Sequence, residues 1–197
     1  MVYPTDIEIE KLHQQYAIND LAFQIIHTHC QIVEQIAMQL LDKKPRNIDE
    51  KLVHVGALLH DIGAYKVIDK YGEFHQGVRH GIFGEEILRA EGLPKEICRI
   101  ASRHTGVGLT KQDVIDQKLP ITPADYTAET IEERIIMYAD KFHTKAVKSY
   151  FCSFNFYQEF VQKFGGDKVA KLQQLADEFG EPDLETLAKK YKQEIKK

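Results

Sequence analysis

The chain has 197 residues, 43% hydrophobic and 28% charged, an ordinary globular composition that one hydrophobic core can still hold. A net charge of −4 with dispersed Lys and Arg argues against bulk nucleic acid as a partner. Cys30, Cys98 and Cys152 make no C-x-x-C pair, the start M-V-Y-P-T-D-I-E lacks the regions of a signal peptide, and no apolar run reaches spanning length; a soluble cytoplasmic protein without disulfides or membrane contact is expected.

Leu, Ala, Glu, Lys, Gln and Ile dominate while Gly and Pro are sparse, so the fold class expected is all-α, with 1–197 as a single domain. Residues 6 to 17 read as a first helix. A longer one follows from about 20 to 42, with Asn19 as N-cap, Pro45 just beyond its end, and an apolar stripe of Leu21, Ile25, Ile32, Ile36 and Leu40. A third runs from about Asp49 to Ile62, where Gly63 reads as a left-handed C-cap, and 64 to 79 reads as a loop. Helices at about 80 to 91 and 95 to 104 are punctuated by Gly92 and Pro94, and 111 to 117 adds a short turn. The stretch K-L-P-I-T-P-A-D-Y from 118 reads as a loop placed to cover a site. Thr130 and Glu133 form a capping box for a helix running to about 150, and two or three short helices fill 154 to 196.

Placing the His and Asp residues on these helices puts polar groups at core positions. His29 lies between Ile25 and Ile32 on the stripe, and His60 follows Val53, Gly56 and Ala57 at helical spacing. His80 shares a face with Phe83, Gly84 and Ile87, His104 follows Ile97, Ile100 and Ala101, and Asp140 follows Ile136 and Met137. A buried imidazole or carboxylate without a partner costs on the order of a few kcal/mol. Any one of these residues is satisfied by an ordinary hydrogen bond; five such faces together point to a shared metal site. Imidazole and carboxylate without thiolate suit Fe, Mn, Zn or Ni. His60 and Asp61 differ by about 100° on a helix, so both reach one centre near its end.

The segments H-C-Q-I-V-E-Q-I-A at 29, L-L-H-D-I-G at 58, H-G-I-F-G-E-E-I-L at 80, S-R-H-T-G at 102 and M-Y-A-D-K at 137 together resemble the HD superfamily of metal-dependent phosphohydrolases, in order over about 29 to 145. The resemblance implies a helical HD core over about 20–150 with a C-terminal extension over 151–197. It implies that His29, His60, Asp61 and Asp140 bind a first metal, with Asp61 and His60 at the centre of catalysis. His80 and His104 resemble the longer ligand set of two-metal HD proteins, among them dinucleoside tetraphosphatases and cyclic-dinucleotide phosphodiesterases, in which Asp61 would bridge. Ala64 stands where many subfamilies have lysine, and the G-Y-P signature of cyclic-di-GMP enzymes is absent.

The expected function is hydrolysis of a phosphomonoester or phosphodiester in a nucleotide or related small phosphorylated metabolite, by water activated on one or two divalent ions. Two alternatives stay open: an HD-type mixed-valent di-iron oxygenase, which uses the same six ligands, and a non-catalytic nucleotide or metal sensor. Lys66, Arg79, Arg103, Lys141 and His143 are candidates for substrate contact. His27 points away from His29, His75 reads as a surface residue, and His13 and His54 read as ordinary core or surface histidines. The aromatic run from Tyr150 through Phe151, Phe154, Phe156, Tyr157 and Phe160 reads as core or oligomer contact, with base stacking as its other use, and a homodimer stays open.

Overall fold

Thr5 opens the first helix, α1 (Asp6–Tyr16), with a capping box: its hydroxyl accepts from the Glu8 backbone N–H, and Glu8 accepts from the Thr5 N–H at 2.7 Å. In the computed structural model, which describes residues 3–43 and 47–197, α2 (Asp20–Lys43) follows, and Asn19 Oδ1 accepts from Ala22 N at 2.8 Å as its position predicts. Pro45 lies outside the described residues. Helix α2 is the central element. Ile25, Ile32, Ile36 and Leu40 are buried, and so are Ala22, Ile26, Cys30, Val33 and Ala37 on the neighbouring face, because α2 packs against helices on two sides.

Asp49 caps α3 (Glu50–Leu59), accepting from Leu52 N at 2.9 Å. The sequence predicts this helix to Ile62 with a left-handed Gly63; the α-helix instead ends at Leu59, and a 3₁₀ turn over Ile62–Lys66 takes part of the expected loop. Gly63 does not have positive φ. It is glycine because of close approach: a Cβ there would lie 2.1 Å from both Gly84 N and His80 O, so helix α4 (His80–Ala90) rests directly on this turn.

Helix α5 (Lys95–Arg103) packs on α4, with Gly84 against the Ala101 methyl. Helix α6 (Lys111–Asp116) and helix α7 (Ile131–Ala139) each open with a capping box, from Thr110 with Asp113 and from Thr130 with Glu133. Arg99 on α5 donates to the buried Glu133 at 2.7 Å, tying α5 to α7. The helix expected to reach about 150 ends at Ala139. Asp140–Phe142 form a 3₁₀ turn, and the chain then closes a loop in which Thr144 N donates to Tyr150 O at 3.0 Å.

Three helices complete the chain, α8 (Phe154–Gln162), α9 (Gly166–Phe179) and α10 (Leu184–Tyr191). The fold is all-α, apart from a two-residue parallel pairing of β1 (Phe151–Cys152) with β2 (Ile195–Lys196). Apolar residues from α2, α3, α5, α7 and α9 join one contiguous buried cluster. Among the described residues no helix is long and apolar enough to cross a membrane.

Candidate metal centre

The end of α3 holds His60 as C-cap and Asp61 at φ −106°, ψ 13°, so the switch from α-helix to 3₁₀ turn occurs at the His-Asp pair itself. Both side chains are fully buried. His29 from α2 and Asp140 from the end of α7 converge on the same point: His29 Nε2 lies 3.0 Å from Asp140 Oδ1 and 3.3 Å from Asp61 Oδ2. His60 Nε2 is 3.6 Å from each of those oxygens. On the other side of the same carboxylate, His80 Nε2 and His104 Nε2 lie 3.2 and 3.3 Å from Asp61 Oδ1. The six residues thus form two groups that share Asp61, each with its ligand atoms within 4.8 Å of one another.

The hydrogen bonds behind the rings fix their tautomers. His60 Nδ1 is 2.7 Å from the Ala57 carbonyl, His104 Nδ1 is 3.3 Å from the Ile100 carbonyl, and His80 Nδ1 contacts the Gly77 carbonyl. Carbonyls only accept, so each Nδ1 donates and each Nε2 turns its lone pair to the centre. His29 is set by a relay. The Nε2 of His143 donates to Gln193 Oε1 at 2.8 Å, which leaves His143 Nδ1 to accept from His29 Nδ1 at 2.8 Å.

Four inward lone pairs beside the buried Asp61 carboxylate and the part-buried Asp140 carboxylate call for positive charge. His80 Nε2 and His104 Nε2 face each other at 2.8 Å, and His60 Nε2 and Asp61 Oδ1 are buried without a hydrogen-bond partner. Such atoms are costly to bury unless a cation meets them. The donor set, imidazole and carboxylate with no thiolate, suits borderline and hard divalent ions. The titration of these groups follows the same demand. Burial would raise Asp61 and Asp140, but Lys145 and Lys141 respectively outweigh it and hold both carboxyls well below the usual range. Burial would lower His60, yet the Asp61 charge beside it lifts the imidazole well above its ordinary value. His80, by contrast, is pushed down to about 3 by burial and then by Lys145.

The structure sorts the other candidates. Lys66 is exposed, with Nζ 5.8 Å from the Tyr16 ring centroid. Arg79 lies on the Phe83 ring at 4.6 Å, and Arg103 is engaged by the Thr127 carbonyl and Glu129. Lys141 is buried, donating to His104 O at 3.0 Å and Asp140 Oδ2 at 2.6 Å. His143 sits behind His29, and both line a cleft with Thr28, Ala146 and Gln193. His27 stacks on Phe23, His75 is exposed beside Asp69, His13 is buried between Tyr65 and the Leu58 carbonyl, and His54 bridges Glu34 and Asp6. Sequence reasoning missed two residues. Lys145 Nζ contacts Asp61 Oδ2 at 2.5 Å, from a stretch that reads as helix, and Gln193 gives no sequence signal at all.

Residues 26–145, which carry all six clustered side chains, match the HD domain family. The chain belongs to that family. Among curated relatives, an uncharacterised protein of Methanocaldococcus jannaschii is 37% identical over 136 residues, covering 66% of this chain and 75% of that protein. The tRNA (cytidine(56)-2'-O)-methyltransferase of Thermoplasma volcanium is 33% identical over 162 residues, covering 82% of this chain but 38% of the methyltransferase. The enzyme of the same name from Picrophilus torridus is 40% identical over 119 residues, covering 60% of this chain and 31% of its own length. Among solved structures, the HD domain of the L. monocytogenes phosphodiesterase PgpH in complex with cyclic-di-AMP aligns with TM-score 0.54 at 20% identity, covering 96% of this chain and 100% of that one. The same domain in a second structure aligns with TM-score 0.53 at 18% identity. At these identities the likeness is one of fold, and it extends to the helices outside residues 26–145.

Proposed function

We propose that this HD domain protein is a metal-dependent phosphohydrolase that cleaves a phosphomonoester or phosphodiester in a nucleotide or related small phosphorylated metabolite. The observation that carries the reading is the buried Asp61 carboxylate, with Oδ2 turned to His29, His60 and Asp140 and Oδ1 to His80 and His104. In this reading His29, His60, Asp61 and Asp140 would hold one divalent ion, Fe, Mn, Zn or Ni, and Asp61, His80 and His104 would hold a second. Paired ions supply hydroxide from water near neutral pH and neutralise phosphoryl charge. The residues of the chain do the rest. Nδ1–H donation to backbone carbonyls and the His143–Gln193 relay hold four imidazoles with Nε2 inward, so little reorganisation accompanies binding. Lys145, 21% exposed at its side chain, brings a positive charge to the cluster from the solvent side and is the candidate for steadying phosphoryl oxygens. The cyclic-di-AMP held by the PgpH domain is compatible with a nucleotide phosphodiester on this fold.

The test is phosphate or nucleotide release from a broad panel of phosphoesters with Mn or Fe supplied, native chain beside Asp61→Asn. The native chain is expected to turn over at least one class, and the variant to lose on the order of 10³-fold while keeping its far-ultraviolet circular dichroism. Full activity in a folded Asp61→Asn protein would sink the reading. Oxygen uptake by iron-loaded protein without phosphate release would instead favour the di-iron oxygenase.

A further inference from the structure

Gln193 lies beyond residues 26–145, yet it ends a chain of hydrogen bonds that begins on His29 of the cluster. Its backbone is pinned on both sides. Gln193 N donates to Ala188 O at 3.0 Å, closing the end of α10, and the next residue, Glu194, accepts from Phe151 N at 2.9 Å beside the β1–β2 pairing. Lys192, just before it, is the C-cap of α10 in a left-handed conformation, φ 55°. The His143 ring is held as closely: it stacks on His29 with centroids 5.1 Å apart and planes 23° apart, and it meets the Phe151 ring at 5.0 Å. With backbone and rings fixed, the orientation of the Gln193 amide and the placement of the ring protons are what remain to be chosen.

We propose that Gln193 is a positioning residue for His29: the face its amide turns to His143 decides which ring nitrogen of His29 carries the proton, and so whether His29 can hold an ion. Resting on the metal reading of the cluster, this gives control of one ligand to the C-terminal tail. A neutral imidazole has one N–H and one lone pair, so a donor or acceptor at one end of two linked rings fixes every site along them. Two arrangements follow. With Oε1 toward His143, as in the structure, His143 Nε2 donates, His143 Nδ1 accepts from His29 Nδ1, and His29 Nε2 keeps its lone pair for the centre. With the amide nitrogen there instead, the amide donates to His143 Nε2, the His143 proton sits on Nδ1 and donates to His29 Nδ1, and the His29 proton sits on Nε2. There it meets Asp140 Oδ1 at 3.0 Å and Asp61 Oδ2 at 3.3 Å. The second arrangement satisfies those carboxylates by a hydrogen bond, so it competes with ion binding, and the side chain at position 193 sets the balance. That position is half-buried and lines a cleft with Thr28, Ala146 and Ser149, so a charged side chain there keeps contact with water.

The experiment compares the native chain with Gln193→Glu, whose carboxylate only accepts, Gln193→Lys, whose ammonium only donates, and Gln193→Met, which offers no N–H. Two quantities are read on folded full-length chains: the His29 ring tautomer in metal-free protein at about pH 8, from long-range 1H–15N NMR, and Mn affinity from equilibrium dialysis. Native and Gln193→Glu chains are expected to carry the His29 proton on Nδ1, and Gln193→Glu to bind Mn at least as well as native. Gln193→Lys is expected to carry it on Nε2 and to bind Mn at least about tenfold more weakly, the loss typical of a group behind a metal-ligating histidine. Weaker Mn binding in Gln193→Lys with His29 still protonated on Nδ1 is the added charge acting at a distance, and overturns the proposal. Equal losses in all three variants also overturn it, because a side chain that merely holds the tail does not distinguish donor from acceptor. If no chain binds Mn, the metal reading fails on its own, and the His29 tautomer still decides the relay. Should Gln193→Lys fail to fold, Gln193→Met decides: a mixture of His29 tautomers supports the proposal, and the native tautomer with native Mn affinity overturns it.

Discussion

His54 and His60 are neighbours on one helix with opposite surroundings, and each imidazole follows its partners. His54 is half-buried between Glu34 and Asp6 at 2.9 and 2.8 Å, and the hydrogen bond to Glu34, outweighing burial, pushes it up to about 9. A pKa raised above the unfolded value near 6.5 gives stability that is fully present below about pH 6.5 and is lost as pH rises through about 9. The pair is partly exposed, so solvent screening keeps it under about 1 kcal/mol. Native and His54→Gln chains are therefore expected to differ in Tm by up to about 3 °C at pH 6 and to converge by pH 10; a gap independent of pH would contradict this. At this scale much of the site is legible in the sequence. His29 is flanked by Ile25 and Ile32 on a buried stripe, and His104 and Asp140 end apolar helices, so their burial follows from spacing. Lys145 and Gln193 are not legible: Lys145 reaches Asp61, and Gln193 reaches His143, through loop geometry that no local pattern encodes.

At the level of elements, capping chemistry reads well and termination reads poorly. Asn19 and Thr130, the caps expected from the sequence, both cap helices, because the signal is a side chain within three residues of the N–H it satisfies. Helix α7 ends eleven residues short of the expected 150. Residues 140–149 hold several helix formers, but the Asp140 turn and the Thr144–Tyr150 closure are tertiary choices that override propensity. Gly63 is the sharper case: its role is contact with α4, 21 residues away in sequence, and not a turn. Gly63→Ala should lose about 3 kcal/mol or more, since the obstructing atoms are backbone and cannot rotate away. Gly77→Ala, where a Cβ meets nothing within 4 Å, should stay within about 1 kcal/mol of native. Urea midpoints compare the two, and equal midpoints would refute the packing argument.

Over the whole molecule, five chain segments spread from His29 to Asp140 meet at one carboxylate, and the C-terminal tail returns to brace them. The β1–β2 pairing, with Phe151 N donating to Glu194 O at 2.9 Å, holds the tail where Gln193 reaches His143. Helical class and core were readable from composition and periodicity; convergence was not, because period 3.6 says which face is buried and nothing about what it faces. The resemblance to the HD family implies that convergence, and the match over 26–145 shows the family. The measurement that bears most directly on the proposed two-ion reading of the Asp61 cluster is metal content per chain after equilibrium dialysis against Mn or Fe, for the native chain, His80→Ala and Asp61→Asn. Two ions in the native chain, about one in His80→Ala and further loss in Asp61→Asn are expected. A folded native chain that binds no metal, or an Asp61→Asn chain that keeps both ions, would contradict it.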